Sequence, residues 1–295
     1  MIVVKEKGYA KINLFLDVLN KREDGFHDIK TVMHSVSLCD DITVMINNKS
    51  SLNSLKMYVE GNKRLPRDGR NLAYSAARLF LDTAGITADI TIKLKKRIPV
   101  VAGLAGGSTD AAAVLRALNR LYKRPFSDRG LCDLAEKLGS DVPFCLLGGT
   151  ALCEGRGERL SVLTAKTRLN LVVAISRGEY VSTPKAYSEL DRIYSDFKVD
   201  RTDAAQSDYE ELCEFLSGGD FPKRGLFNIF EQAVLPSCPG AAELKRRMIE
   251  LGAIGATMSG SGPGVFGVFA DEETARFAAK ELSECGARAY FAQSV

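Results

Sequence analysis

Histidine is scarce and paired cysteine motifs are missing. The two histidines are His27 and His34, and the seven cysteines, at positions 39, 132, 145, 153, 213, 238 and 285, contain no CxxC pair. An odd number of cysteines without a secretory leader argues against a disulfide framework and predicts reduced thiols that fill core or surface. No apolar run approaches the roughly 18 residues of a membrane span. Charges at Lys5, Glu6, Lys7 and Lys11 interrupt the N-terminal stretch, so a cytoplasmic protein without a membrane segment is expected. There is no long basic run either. Forty Lys plus Arg against 37 Asp plus Glu leave a net charge of +3, which points away from nucleic acid and stays compatible with an acidic small substrate. Internal repeats and low-complexity tracts are also missing.

What is there is a chain of 295 residues with 45% hydrophobic content, enough for two domains of ordinary size. Its organising stretch is residues 99–121, PVVAGLAGGSTDAAAVLRALNRL. From Ala111 onward, Val114, Leu115, Leu118 and Leu121 follow at the spacing of one buried helical face. Ahead of that helix, Gly103, Gly106 and Gly107 predict a turn with positive φ and close approach of backbone to ligand. Ser108, Thr109 and Asp110 are placed to cap the first turn. The first N–H groups of a helix lack internal partners and carry the positive end of its dipole, so the stretch suits phosphate. No lysine occurs between Pro99 and Leu121, which excludes a Walker A loop, and the spacing is not GxGxxG. Taken alone, the glycines also fit an ordinary loop followed by a cap.

Residues 9–18 alternate as a strand, with Ile12, Leu14, Leu16 and Val18 on one face and Lys11, Asn13, Phe15 and Asp17 on the other. On this pattern Lys11 is either a solvated charge or a site residue. An Asp24-Gly25 turn leads through Phe26 and His27 into strands near 31–38 and 41–46. His34 reads as structural, whereas His27, just after a turn and beside Phe26, could pair with a flat heterocycle. Asn71 can cap a helix to about Thr83, with Leu72, Ala76, Leu79 and Phe80 at buried spacing and Gly85 as its stop. A strand carrying Ile90, Ile92 and Leu94 then delivers the chain to the glycine stretch through Lys95, Lys96 and Arg97.

A helix from Ser127 to Leu138, stopped by Gly139, precedes Asp141, which with Pro143 marks another helix start and could be simply a cap. Farther on come a strand at 169–176 and Thr183 as a cap before Pro184. A surface region follows over 198–225 with a short helix near 210–216. Helices are expected at 227–235, 241–251 and 272–284, with a closing strand at 287–291. A loop containing Gly260, Ser261, Gly262, Pro263 and Gly264 lies between two further strands.

The motif P-x-x-x-G-L-x-G-G-S-T-D-A-A, starting at Pro99, resembles the phosphate loop of the GHMP kinases, small-molecule kinases related to galactokinase, homoserine kinase and mevalonate kinase. Within them, AKINLFLDVLNKREDGFH at 10–27 and GSDVPF at 139–144 resemble the 4-diphosphocytidyl-2-C-methyl-D-erythritol kinases. The resemblance is dense over residues 8–160 and reduces to islands near 181–187 and 255–269. It implies an α+β, two-domain GHMP kinase fold. An N-terminal β-rich α/β nucleotide-binding domain would span 1–160, and a C-terminal ferredoxin-like α/β sandwich 161–295.

The same resemblance implies catalysis by Lys11 and Asp141. ATP would be held by Asn71, Lys96, Pro99, Gly103, Leu104, Ala105, Gly106, Gly107, Ser108, Thr109 and Asp110, with Mg2+ bridging its phosphates, helped by Ser108. Asn13, Phe26, His27, Thr183, Pro184, Tyr187, Gly260, Ser261 and Gly262 would hold the substrate. The implied reaction is ATP-dependent phosphorylation of the 2-hydroxyl of 4-diphosphocytidyl-2-C-methyl-D-erythritol, a cytidine diphosphate-linked alcohol on the methylerythritol phosphate route to isoprenoid precursors. A monomer or weak homodimer fits. A homoserine- or mevalonate-type GHMP kinase is a rival that the DGFH turn argues against. A non-catalytic GHMP-fold ligand sensor is another, opposed by the presence of both Lys11 and Asp141. Three departures stand out: Ala105 where many relatives have glycine, Phe26 where many have tyrosine, and Thr109-Asp110 where others carry Ser-Asn.

Overall fold

The structure is a computed structural model that describes residues 2–47, 53–194, 202–222 and 226–295. Two long strands, β1 (Ile2–Lys21) and β2 (His27–Ile46), flank the Asp24-Gly25 turn, where Gly25 takes φ 84°. The chain continues through β3 (Ser54–Glu60), α1 (Leu72–Ala84), β4 (Asp89–Lys95), α2 (Gly106–Leu121), α3 (Asp128–Glu136) and α4 (Val142–Leu147). Then come β5 (Thr150–Gly155), β6 (Arg159–Val162), β7 (Asn170–Ile175), α5 (Thr183–Ile193) and α6 (Thr202–Leu216). The remainder is β8 (Phe227–Asn228), α7 (Phe230–Val234), α8 (Pro239–Glu250), β9 (Ala253–Met258), β10 (Val265–Phe269), α9 (Glu272–Glu284) and β11 (Arg288–Gln293).

Two compact units interleave along the sequence. The first takes Met1–Ala10, Cys39–Val100 and Ala105–Gly148; the second takes Lys11–Leu38, Val101–Leu104 and Gly149–Val295. In the first unit, β4 pairs antiparallel with the C-terminal part of β2, Asp41 opposite Lys95 through Ile46 opposite Ile90, and β3 runs parallel to β4. Asn71 starts α1 by accepting from Ala73 N at 3.0 Å, and Gly85 ends it in the left-handed region at φ 64°. The buried face of α1 falls on Ala73, Ala76, Ala77, Phe80 and Leu81; Leu72 and Leu79, expected inside, are half-buried. Small alanines there meet the alanine-rich face of α2, which lets the two helices pack closely.

In the second unit, β5 pairs antiparallel with the N-terminal part of β2, and β6 extends β5. β8 runs parallel to β1, with Phe15 opposite Phe227 and Leu16 opposite Asn228. A separate antiparallel sheet has the order β11-β7-β10-β9, with α8 and α9 packed on it. Connected as β7, α8, β9, β10, α9, β11, this is the expected ferredoxin-like arrangement.

Four local expectations are corrected. β2 is one strand of 20 residues, where two were expected. Asp40, which falls between the two expected strands, is satisfied in place by the backbone N–H groups of Arg97 and Ile98, so the strand continues through it. The helix expected over 227–235 begins only at Phe230, because Phe227 and Asn228 pair with β1 and Asn228 Oδ1 accepts the Phe230 N–H at 3.0 Å. α6 is longer than the short helix expected near 210–216; residues 198–201 and 223–225 of that surface region lie outside the described residues. Thr183 is the first residue of α5 and Ser182 its cap. None of the seven cysteines is in a disulfide. Among the described residues no helix is long and apolar enough to cross a membrane.

Candidate active site

The glycine stretch reaches α2 through three left-handed residues at alternate positions: Val101 (φ 57°), Gly103 (73°) and Ala105 (53°). For a β-branched valine that conformation is a true outlier, and such strain gathers at functional loops. Of the three glycines expected to supply positive φ, Gly103 alone does so; a Cβ there would run into the Ser259 carbonyl. Gly106 and Gly107 are already helical. A Cβ on Gly106 would lie 3.1 Å from Ile98 Cγ2 and 3.3 Å from Lys96 Nζ, so a side chain here would crowd both.

Ser108, Thr109 and Asp110 sit inside α2, not at its cap. The cap is Ala105, which offers no side-chain hydrogen bond, and no acid occupies the first turn. The N–H groups of Gly106, Gly107 and Ser108 therefore keep the anion-attracting character of an uncapped helix start. Inward from them, Thr109 gives its hydroxyl to Tyr9 O at 2.7 Å, and the side chains of Pro99, Leu104, Thr109 and Asp110 are buried.

Lys96 is not a solvated charge. Its side chain is 5% exposed, and its three ammonium hydrogens go to Asp40, to Asp110 Oδ2 at 2.7 Å and to Gly106 O at 3.2 Å. Two buried carboxylates thus share one cation beneath the first turn of α2. Burial pushes the Asp110 carboxyl well above the usual carboxylate range, with Lys96 opposing that shift and Asp40 adding to it. Asp110 Oδ1 is buried without a hydrogen-bond partner. Asn71 caps α1 by accepting from Ala73 N at its Oδ1, and its Nδ2 donates to Pro66 O in the preceding loop. Asp141 stands at the N-cap position of α4, where its carbonyl accepts from Cys145 N at 3.0 Å and its side chain makes no cap bond.

In the second unit, Lys11 is 4% exposed and donates from Nζ to Asn13 Oδ1 at 2.7 Å. The same oxygen accepts the Gly260 N–H at 2.9 Å, and Asn13 Nδ2 donates to Thr31 Oγ1 at 2.8 Å. Ser259 Oγ donates to Gly103 O at 2.9 Å, tying the two glycine loops together. Ser261 Oγ and Thr183 Oγ1 are hydrogen bonded at 2.8 Å.

His27 is buried, and its ring stacks on Tyr187 with centroids 4.7 Å apart and 24° between planes; Tyr187 in turn meets Phe230 edge-on. His27 Nε2 lies 2.7 Å from Asp191 Oδ1, and Lys21 Nζ lies 2.6 Å from Asp191 Oδ2. Burial works against the Asp191 charge, but the bonds from Lys21 and His27 outweigh it and hold the carboxyl below its usual range. An ionised carboxylate only accepts, so Nε2 carries the proton. Phe26 is exposed, with the Arg156 guanidinium 4.9 Å over its ring. His34 is structural, as expected. It bridges Thr150 Oγ1 at 2.7 Å and Ser294 Oγ at 2.9 Å, and burial pushes its pKa down to about 4.

Residues 71–149 match the family pattern of the GHMP kinases N terminal domain, and residues 201–288 that of GHMP kinases C terminal. The 4-diphosphocytidyl-2-C-methyl-D-erythritol kinase of Caldicellulosiruptor saccharolyticus is 41% identical over 278 residues, 94% of this chain and 91% of that protein. The chain belongs to the 4-diphosphocytidyl-2-C-methyl-D-erythritol kinases of the GHMP kinase family. A kinase of the same name from Pelotomaculum thermopropionicum is 43% identical over 277 residues, covering 93% of this chain and 92% of its own. A crystal structure of 4-(cytidine 5'-diphospho)-2C-methyl-D-erythritol kinase superposes with a TM-score of 0.82 at 37% identity, over 98% of each chain.

Within this kinase, the reading from residue pattern did not find Asp40, Asp191 or Asn228. Asp40 left no distinct signal, because β2 carries several other polar residues, Asp41 beside it among them. Asp191 and Asn228 left none, because their partners lie far away along the chain.

Proposed function

We propose that this kinase transfers the γ-phosphoryl group of ATP to the 2-hydroxyl of 4-diphosphocytidyl-2-C-methyl-D-erythritol, giving the 2-phosphate and ADP on the methylerythritol phosphate route to isoprenoid precursors. The observation that carries the reading is Lys11, an ammonium buried on β1 and held by Asn13 beside the glycine loop, where a buried charge must be paired to be tolerated. Kinship over nearly the whole chain with kinases of that name supports the substrate.

Phosphoryl transfer asks the protein mainly for placement and charge neutralisation. The uncapped first turn of α2 fits the phosphates of ATP, received by the N–H groups of Gly106, Gly107 and Ser108. Thr109, Asp110 and Lys96 support that turn from within. Among the described residues no group of three His, Cys, Asp or Glu side chains is arranged for a metal ion. Mg2+ would neutralise charge on the ATP phosphates, and the Ser108 hydroxyl would be its protein ligand. Asp141 would take the proton of the acceptor alcohol, and Lys11 would offset charge growing on the transferred group.

His27, fixed by Asp191, and Tyr187 and Phe26 as aromatic surfaces would receive the cytosine. Thr183, Pro184 and the 260–262 loop would border the substrate. Residues 1–160 and 161–295 as domains, the cytoplasm as compartment, and a monomer or weak homodimer without membrane or nucleic-acid partners belong to the same proposal.

The test is turnover of the purified chain with ATP, Mg2+ and the cytidyl alcohol, the product's phosphate located by 31P NMR. Phosphorylation at the tertiary 2-hydroxyl is expected. Turnover of homoserine or mevalonate in its place would favour another GHMP kinase, and binding without turnover a ligand sensor.

A further inference from the structure

The 258–262 loop is held between two buried amides, Asn13 and Asn228, and Asn228 has no role in the proposed reaction. Asn228 is 4% exposed. Its Nδ2 donates to Met258 O at 2.6 Å and to Gly260 O at 2.9 Å, while its Oδ1 accepts from Phe230 N. Both amide hydrogens are thus spent on loop carbonyls. Three residues on, Glu231 accepts the Met258 N–H at 3.0 Å and the Thr257 hydroxyl at 2.8 Å, with Lys245 2.5 Å behind it.

From the other side, Gly260 gives its N–H to Asn13 Oδ1, the oxygen that also receives the Lys11 ammonium. Gly260 stands in the left-handed region at φ 55° and is gripped at both its N–H and its C=O. The orientation of Asn13 is fixed as well. Two donors meet its oxygen, and its nitrogen donates to Thr31, whose hydroxyl passes the next bond to Phe15 O at 2.5 Å.

We propose that Asn228 is a positioning residue for catalysis: by clamping Gly260 against Asn13 it sets where the Lys11 ammonium stands relative to the 258–262 loop. The chemistry demands an amide. A carboxylate at 228 would oppose two carbonyl oxygens and could donate to neither, and a small hydroxyl would reach at most one of them. Phosphoryl transfer is sensitive to such placement, since an error of about 1 Å can cost on the order of a hundredfold in rate. The inference rests on the proposed role of Lys11.

The experiment is a double-mutant cycle on the full chain with Asn13→Ser, Asn228→Ser and the pair, alongside the isosteric Asn228→Asp and, as a reference, Lys11→Met. kcat, KM for ATP and hydrogen exchange at the Gly260 amide are measured for each. Asn228→Ser and Asn228→Asp should lower kcat by roughly 10- to 100-fold with KM for ATP within about twofold, and should speed exchange at Gly260. The double mutant should lose little more than Asn13→Ser alone, because both act on one peptide. Additive losses, an unchanged kcat in both Asn228 variants, or an unperturbed Gly260 amide would overturn the clamp. An unchanged kcat in Lys11→Met would instead overturn the catalytic role of Lys11, while exchange at Gly260 still reads the clamp. If the serine variant does not fold, the isosteric aspartate carries the test.

Discussion

Tyr187 lies flat against His27, 4.7 Å between ring centroids, while Asp191 on the same helix grips the imidazole at Nε2. One turn of α5 therefore sets both the plane and the protonation of the ring proposed to read the base. A carboxylate-bound imidazole loses roughly 1.5–3 kcal/mol with its charged hydrogen bond, about ten- to a hundredfold in affinity. His27→Ala and Asp191→Asn should each weaken binding of a CDP fragment by at least the lower figure and leave ATP affinity unchanged. Calorimetric titration checks this; equal affinity in wild type and His27→Ala removes His27 from base recognition.

Asp141→Asn should lower turnover by at least about two orders of magnitude with substrate binding little changed, as expected for a lost general base. Its carboxylate does not cap α4, so any change in stability reports its other contacts and not a lost cap. Single-turnover kinetics beside a melting curve separates the two effects, and near-normal turnover takes Asp141 out of the mechanism.

Lys96→Met should destabilise the first unit strongly. It would leave Asp40 and Asp110 buried together without their cation, and breaking a buried pair costs about 3–5 kcal/mol. The Gly106 carbonyl loses its donor as well, so KM for ATP should rise. Urea denaturation measures the first effect, and stability equal to wild type would mean that the triad contributes nothing.

His34 predicts a loss of stability in mild acid. Burial lowers its pKa from 6.5 to about 4, so below pH 6.5 the unfolded chain binds a proton that the folded chain refuses. The contribution is fully present above pH 6.5 and disappears as pH falls toward 4, at most roughly 3 kcal/mol. In His34→Gln the slope of unfolding free energy against pH over this window should flatten; an identical slope would show that other groups govern it.

Local pattern made much of the fold legible. The amphipathic spacing of α2, the Asn71 and Gly85 ends of α1, the alternation in β4 and the turn at Gly25 all follow from properties a residue carries with it. The errors share one cause. β2 was expected as two strands, but the N–H groups of Arg97 and Ile98 satisfy Asp40 and let the strand run through, and Phe227 was expected to be helical, but it pairs with β1. The glycines of the phosphate loop were placed in the right stretch but given one explanation where there are two, left-handed backbone at Gly103 and crowding by Ile98 and Lys96 at Gly106.

By itself the sequence determined where most of the helices and several of the strands lie, that a helix start is prepared for an anion, and which family motifs Lys11, Asp141 and His27 stand in, because propensity, periodicity and motif spacing are local. Only the tertiary structure decided that Lys11 is locked by Asn13, that Lys96 belongs to two buried acids, and that Asp191 and Asn228 matter. Those outcomes depend on burial and on partners up to 247 residues apart, and a hydrogen bond that is weak in water becomes decisive only where folding has removed the water that competes for it.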